Sequence, residues 1–382
     1  MSEWREYTVK ELIDLDMLEP PMDGNHGGIH PKTTDYVPIG VPFIMANNLI
    51  DGTVDLVNCA FISEEQANTL RKGFSKPGDV LLTHKATMGR TAIVPDTYPL
   101  IILTPQVTYY RIKKGINNKY LKYYFDSPEF QSTLESWANS GSTRAYLGIT
   151  AQQKLPIILP SLVIQEKIAD ILGKIDDKIS VNNQINRNLS EQALALFKEM
   201  FPDVNQGDHT LGEYLSAVKG KALLSKDAIE GSVPVIAGGL SPATYHNVAN
   251  TKAPVLTISA SGANAGYVAL WHVDVWSSDS SYIDSNMTEN VYFWYAMLKT
   301  RQKEIFDAQT GSAQPHIYPK NIDVLPVAEL DGKVVADYTI QVSPLFELMG
   351  NNILENERLS GLRDTLLPKL MSGELDVSEL DI

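Results

Sequence analysis

The sequence is almost without cysteine. Cys59 stands alone in 382 residues, which excludes an intrachain disulfide framework and fits a reducing compartment, the cytoplasm. It reads as a buried apolar side chain rather than a nucleophile, since nothing marks an electropositive site around it. Apolar runs of membrane-spanning length are missing, and the N-terminal MSEWREYTVKELI has no signal-peptide core, so no membrane partner is expected. The histidines show neither i,i+4 pairing nor a cysteine partner, and no metal is expected. Phosphate-loop and dinucleotide patterns are absent, and no cofactor is assigned. Glu19-Pro-Pro-Met22 lacks the aromatic residue of an amino-methyltransferase loop. The acid-x-Lys tripeptides Asp176-Asp-Lys178 and Asp331-Gly-Lys333 fall on a helix face and in a turn, which argues against a nuclease centre. No catalytic residue emerges.

Positive charge is also scarce overall, with a net charge of −14, but it is unevenly placed. Met1–Leu70 carries three Lys/Arg against twelve Asp/Glu, whereas Arg71–Lys122 carries ten against two. From Asp331 onward the balance is acidic again, four against ten. A basic block within an acidic chain can still present a phosphate-facing surface, because screening limits the reach of charge to about 10 Å.

What the sequence does have is a long helical stretch, Gln165–Phe201, written twice. Apolar residues at Ile164, Ile168, Ile171, Ile175, Ile185, Leu189 and Leu196 step by three, four or sums of these, a heptad seam that no proline breaks before Pro202. At about 1.5 Å per residue the helix would be on the order of 55 Å long, more than one small domain needs. From Pro344 to Met371, Leu345, Met349, Leu359, Leu366 and Leu370 carry a similar seam. Asn352 and Asn356 stand 170 positions beyond Asn182 and Asn186. Asn at such seams fixes register, and antiparallel pairing would set Asn182 against Asn356 and Asn186 against Asn352.

The rest of the chain also repeats. Thr8-Val-Lys-Glu-Leu-Ile, a short helix, is answered by Thr210-Leu-Gly-Glu-Tyr-Leu, and the strand Val41-Pro-Phe-Ile by Val233-Pro-Val-Ile. Ala86-Thr-Met-Gly-Arg-Thr-Ala-Ile is answered by Ala263-Asn-Ala-Gly-Tyr-Val-Ala-Leu, Tyr120–Ser127 by Val291–Leu298, and Leu155-Pro156 by Leu325-Pro326. Lys76-Pro-Gly-Asp reads as a tight turn into a strand, Ser63 as the N-cap of a helix, and Asn118–Asp126 and Pro128–Trp137 as helices. The order is globular unit, long helix, globular unit, long helix. The expected fold class is α+β, with two similar units joined and spaced by two long antiparallel, coiled-coil-like helices in a pseudo-two-fold repeat. The expected boundaries are 1–163, first unit; 164–201, first helix; 202–209, linker; 210–340, second unit; and 341–382, second helix and tail.

Four segments carry a family resemblance: Pro77-Gly-Asp-Val-Leu-Leu-Thr with Met88-Gly89; Ser259–Gly266; Leu155-Pro-Ile-Ile-Leu-Pro160 with Gln165–Leu172; and Leu366-Leu-Pro-Lys-Leu-Met-Ser-Gly-Glu374. With the two-fold repeat, the chain resembles the specificity subunit of type I restriction–modification systems. That resemblance implies a non-catalytic scaffold with two target-recognition domains, each reading one half of a split double-stranded DNA site. It also implies two DNA adenine methyltransferase subunits as partners, to which restriction–translocase subunits add. The other classes in view are a self-sufficient methyltransferase or nuclease, and a protein-only scaffold or acidic DNA mimic.

A reader needs cations for the phosphates and polar side chains for base edges. The first unit offers Lys85, Thr87, Arg90, Lys113, Lys114, Ser142, Thr143 and Arg144 as DNA-binding candidates. The second unit has eight Lys/Arg against eleven Asp/Glu between Thr210 and Leu330, so its candidates are polar: Ser259, Ser261, Asn264, Tyr267, Ser312, Gln314 and His316. Asn182, Asn186, Asn352 and Asn356 are the helix-register candidates.

Overall fold

A computed structural model describes residues 4–139, 145–311 and 315–380. The chain divides into two compact units, Met1–Lys178 with Arg358–Ile382, and Ile179–Glu357. Each long helix contributes one stretch to each unit.

The first unit is built on two sheets. One is antiparallel in the order Thr87–Ile93, Val80–Lys85, Val107–Tyr110, Met22–Asp23. The other runs Tyr36–Val37, Ala60–Ile62, Val41–Ile44, Ile101–Leu103, Phe74–Ser75, with Val41–Ile44 and Ile101–Leu103 parallel. Strand Arg5–Thr8 pairs antiparallel with Pro156–Leu159, just before the first long helix. Ser63 caps Glu64–Thr69, as the sequence predicts, and Thr8 caps Val9–Asp14 through a reciprocal bond with Glu11. Helix Asn118–Asp126 buries an aromatic face without stranding its hydroxyls: Tyr120 Oη donates to the Ile158 carbonyl and Tyr124 Oη to that of Pro156. The lone thiol of Cys59 is buried, and burial pushes its pKa up.

The second unit repeats this order. Val218–Lys219, Ser280–Asp284, Val255–Ser259 and Val268–Trp271 form an antiparallel sheet, and Val233–Ile236 lies parallel to Trp276–Ser277 as Val41–Ile44 does to Ile101–Leu103. His209–Thr210 pairs with Pro326–Val327. The fold is α+β, and the repeat seen in sequence recurs in the four-stranded sheet of each unit, while the other sheet has three strands in the second unit against five in the first.

The long helices span Leu162–Met200 and Gly332–Met371. The second therefore begins well before residue 341. Pro344 suggested a helix start, yet it lies inside on an exposed position where water can take the carbonyl it leaves free. Val335, Tyr338, Val342 and Phe346, at helical spacing, are buried and hold that stretch in place. Asp331 caps it, its carboxylate accepting from Lys333 N at 2.8 Å. The seam of the first helix also needs correction. Ile185 faces solvent, while Leu172, Ala193 and Phe197 are buried, because the stripe continues from Ile175 through Asn182 and Leu189 at the helical period. The expected linker 202–209 is partly structural: Val204 is buried and its carbonyl accepts from Ala328 N.

Candidate nucleic-acid interface

In the first unit the hairpin of Val80–Lys85 and Thr87–Ile93 turns at Ala86, at φ +65. A bulge interrupts the register between Met88 and Thr91, with Gly89 at φ +79. Such bulges re-aim the side chains around them. Gln131 Nε2 donates to the Gly89 carbonyl at 2.9 Å, and a β-carbon at Gly89 would displace that amide, standing 2.0 Å from its Oε1. Gly89 thus approaches Gln131 closely. Within the bulge, exposed Arg90 donates its backbone N–H to Thr83 Oγ1 and its guanidinium to the Leu49 carbonyl at 3.3 Å. Arg90, Asn47 and the Leu49–Gly52 turn line an open cavity of about 480 Å³. Lys85 and Thr87 are exposed at the hairpin tip, and Lys85 Nζ lies 5.9 Å from the centre of the Tyr146 ring.

Behind the tip, His84 is fully buried. Its Nδ1 lies 2.9 Å from the Leu147 carbonyl, which assigns the proton to Nδ1, and its Nε2 has no partner among the described residues. Burial holds its pKa below the usual histidine value.

Lys113 and Lys114 do not join this surface. Tyr110 pairs with Val80, and Val107 with Thr83, so residues beyond Tyr110 lie at the far end of the sheet from Lys85. Both ammonium groups face Asp16, Lys114 at 3.5 Å, and the bond from Lys113 holds the Asp16 carboxyl below its usual range. Their charge is locally compensated. Ser142, Thr143 and Arg144 lie outside the described residues.

In the second unit Gly266, at φ +85, occupies the place of Gly89, and Gln302 Nε2 donates to its carbonyl at 2.8 Å. Ser261 donates to Asp279, and Asn264 Nδ2 to the Gly238 carbonyl at 3.3 Å. Tyr267 is half-buried with Lys299 Nζ 4.4 Å from its ring centre, and burial lowers the pKa of that lysine. Ser259 does not face outward: it is 4% exposed, inside the sheet, and its hydroxyl has no partner among the described residues. Both faces of the strand Val255–Ser259 are covered, so no residue of it reaches the surface. Ser312 and Gln314 lie outside the described residues.

Ser261 bridges His316 as Lys85 bridges Tyr146. The two units thus present different side chains from one backbone arrangement. His316 also stacks on Tyr318, with ring centres 6.0 Å apart, and Lys320 lies over that tyrosine at 5.8 Å. Tyr146, Tyr318 and Lys320 were not singled out from sequence. The signal was there, an aromatic beside a cation in Tyr318-Pro-Lys320, but short and polar enough to pass for a loop.

The register asparagines meet. Asn182 Nδ2 donates to Asn356 Oδ1 at 2.8 Å and to Glu355 Oε2 at 2.7 Å, and Asn352 Nδ2 donates to Asn186 Oδ1 at 2.8 Å. Asn182 and Asn352 are buried. Among the described residues no cluster of His, Cys, Asp and Glu suits a metal ion, and no helix is long and apolar enough to cross a membrane.

The arrangement offers polar and cationic side chains around glycine-fixed bulges, suited to binding rather than bond making. The chain is 24% identical to the type I restriction enzyme MjaIX specificity subunit of Methanocaldococcus jannaschii, over 98% of this chain and 95% of that protein. It is 36% identical to the HindI specificity subunit of Haemophilus influenzae across 25% of this chain and 22% of that one. Its fold is similar to that of a type I restriction–modification S subunit from M. genitalium, with a TM-score of 0.59, 17% identity, and coverage of 97% and 96% of the two chains. Residues 1–191 match the family model described as the type I restriction modification DNA specificity domain, and the chain belongs to that family.

Proposed function

We propose that this chain is the non-catalytic specificity subunit of a type I restriction–modification complex, each unit reading one half of a bipartite DNA target. The long helices set the half-site spacing and dock two adenine methyltransferase subunits, with restriction–translocase subunits joining the full assembly in the cytoplasm. One observation carries this reading. A hairpin whose left-handed glycine is latched by a glutamine recurs in both units, yet displays Lys85 with Tyr146 in one and Ser261 with His316 in the other. One scaffold with two sets of outward side chains is what two different half-sites require. The acidic net charge fits a division of labour in which partner subunits supply much of the phosphate contact.

The test is to co-express the chain with its methyltransferase partner and map N6-methyladenine across the host genome. A single bipartite consensus with fixed spacing is expected. Methylation by the partner without this chain, or no sequence dependence with it, would favour a scaffold without readout.

A further inference from the structure

The two units are held to their helices by different forces. In the first, a polar chain leads from the bulge to both long helices. Thr91, next to Arg90, donates through Oγ1 to Asp126, and Lys122 Nζ lies 3.0 Å from the other oxygen of that carboxylate. The same Nζ lies 3.7 Å from Asp176 Oδ2 on the first helix, where Tyr123 Oη also donates at 2.7 Å. Arg363 of the second helix completes the chain, donating to Asp176 Oδ1 at 3.0 Å. Lys122 also sits under the turn that lines the Arg90 cavity, since a β-carbon on Gly52 would stand 2.7 Å from Nζ. Lys122 is buried and Asp126, Asp176 and Arg363 are partly buried, so each depends on the next.

In the second unit the corresponding positions are Phe293 for Lys122, Phe346 for Asp176 and Ala193 for Arg363. There Phe346 stacks on Tyr292 with centres 4.8 Å apart, and Tyr338 Oη donates to the Ala193 carbonyl at 3.0 Å. Aromatic packing tolerates small rotations. A chain of ion pairs and hydrogen bonds holds only one geometry well.

Building on the proposed function, we propose that Lys122, Asp176 and Arg363 are positioning residues that fix the aim of the first unit's reading hairpin relative to the helices, through Asp126 and Thr91. Specificity at the first half-site then depends on residues that touch no base, while the second half-site depends on no such chain.

The test uses the co-expressed methyltransferase complex and a genome-wide methylation map. Asp176→Asn is expected to relax one half of the consensus and to lower methylation of the correct site on the order of tenfold, leaving the other half intact. Asp176→Glu should restore the pattern. Thr91→Val, which preserves shape and cuts only the link nearest the bulge, should relax the same half and decides the matter if the Asp176 variant assembles poorly. An unchanged first half in both variants, or equal damage to both halves, would overturn the proposal. A wild-type complex with no bipartite consensus would overturn the functional reading itself, before any variant is made.

Discussion

Arg111 grips Asp79 with two parallel bonds, Nε to Oδ1 at 2.9 Å and Nη2 to Oδ2 at 2.8 Å. The carboxylate also accepts from Ser75 Oγ and Lys76 N, which closes the Pro77-Gly-Asp turn, and the pairing raises the pKa of the guanidinium further. Arg111→Met would leave a buried carboxylate without its partner, so unfolding should become easier by about 3 kcal/mol in urea titration. Arg111→Lys should recover only part of this, because an ammonium cannot match both oxygens at once.

The asparagine layer predicts opposite effects on stability and precision. Replacing Asn182, Asn186, Asn352 and Asn356 together by Leu should raise the melting temperature, since apolar seam residues pack better than amides. The spacing between methylated half-sites should broaden, because slipped registers would no longer leave amides unpaired. A mapped spacing as narrow as the wild type's would show that register is set elsewhere.

His272 gives the second unit an acid sensitivity. Burial pushes its pKa down to about 4, and Gly350 of the long helix packs so closely that a β-carbon would lie 2.7 Å from the His272 Cβ. The unfolded chain takes up this proton near pH 6.5 and the folded chain only near 4, so stability falls as pH drops through that window. The loss should be roughly 2 kcal/mol by pH 4.5, read from urea unfolding. His84, shifted in the same direction, adds to it in the first unit. His272→Asn should flatten part of the dependence.

If Lys85 meets phosphate and Arg144 a base edge, as we propose, substitution separates the two contacts. In the assembled complex Lys85→Ala should weaken binding to all sequences alike and lower the salt slope by about one unit. Arg144→Ala should cost roughly 1–3 kcal/mol and relax one base position in the first half-site. Binding measured against salt and against single-base variants of the site checks both.

The helices and the pairing of their asparagines were legible because an apolar period and a repeat at a fixed offset can be read directly along a sequence. The second helix start was not: Pro344 carries a strong local signal, and only the burial of Val335 and Tyr338 against the second unit outweighs it. Lys113 looked available for DNA because its partner, Asp16, lies 97 positions away in the chain. Ser259 looked available because its Gly/Ser-rich run reads as a loop, whereas it ends a strand covered on both faces. Tyr146 and Tyr318 acquire meaning only once a strand pairing brings them beside Lys85 and His316.

The strand pairs Arg5–Thr8 with Pro156–Leu159 and His209–Thr210 with Pro326–Val327 have a consequence for how such chains diversify. In each repeat the chain enters and leaves through hydrogen-bonded neighbours, backbones about 5 Å apart. Everything between them is a cassette with adjacent ends. A segment of different length and sequence can be spliced at those two strands while both helices keep their places, so a new target could be acquired by one recombination event rather than by many point changes.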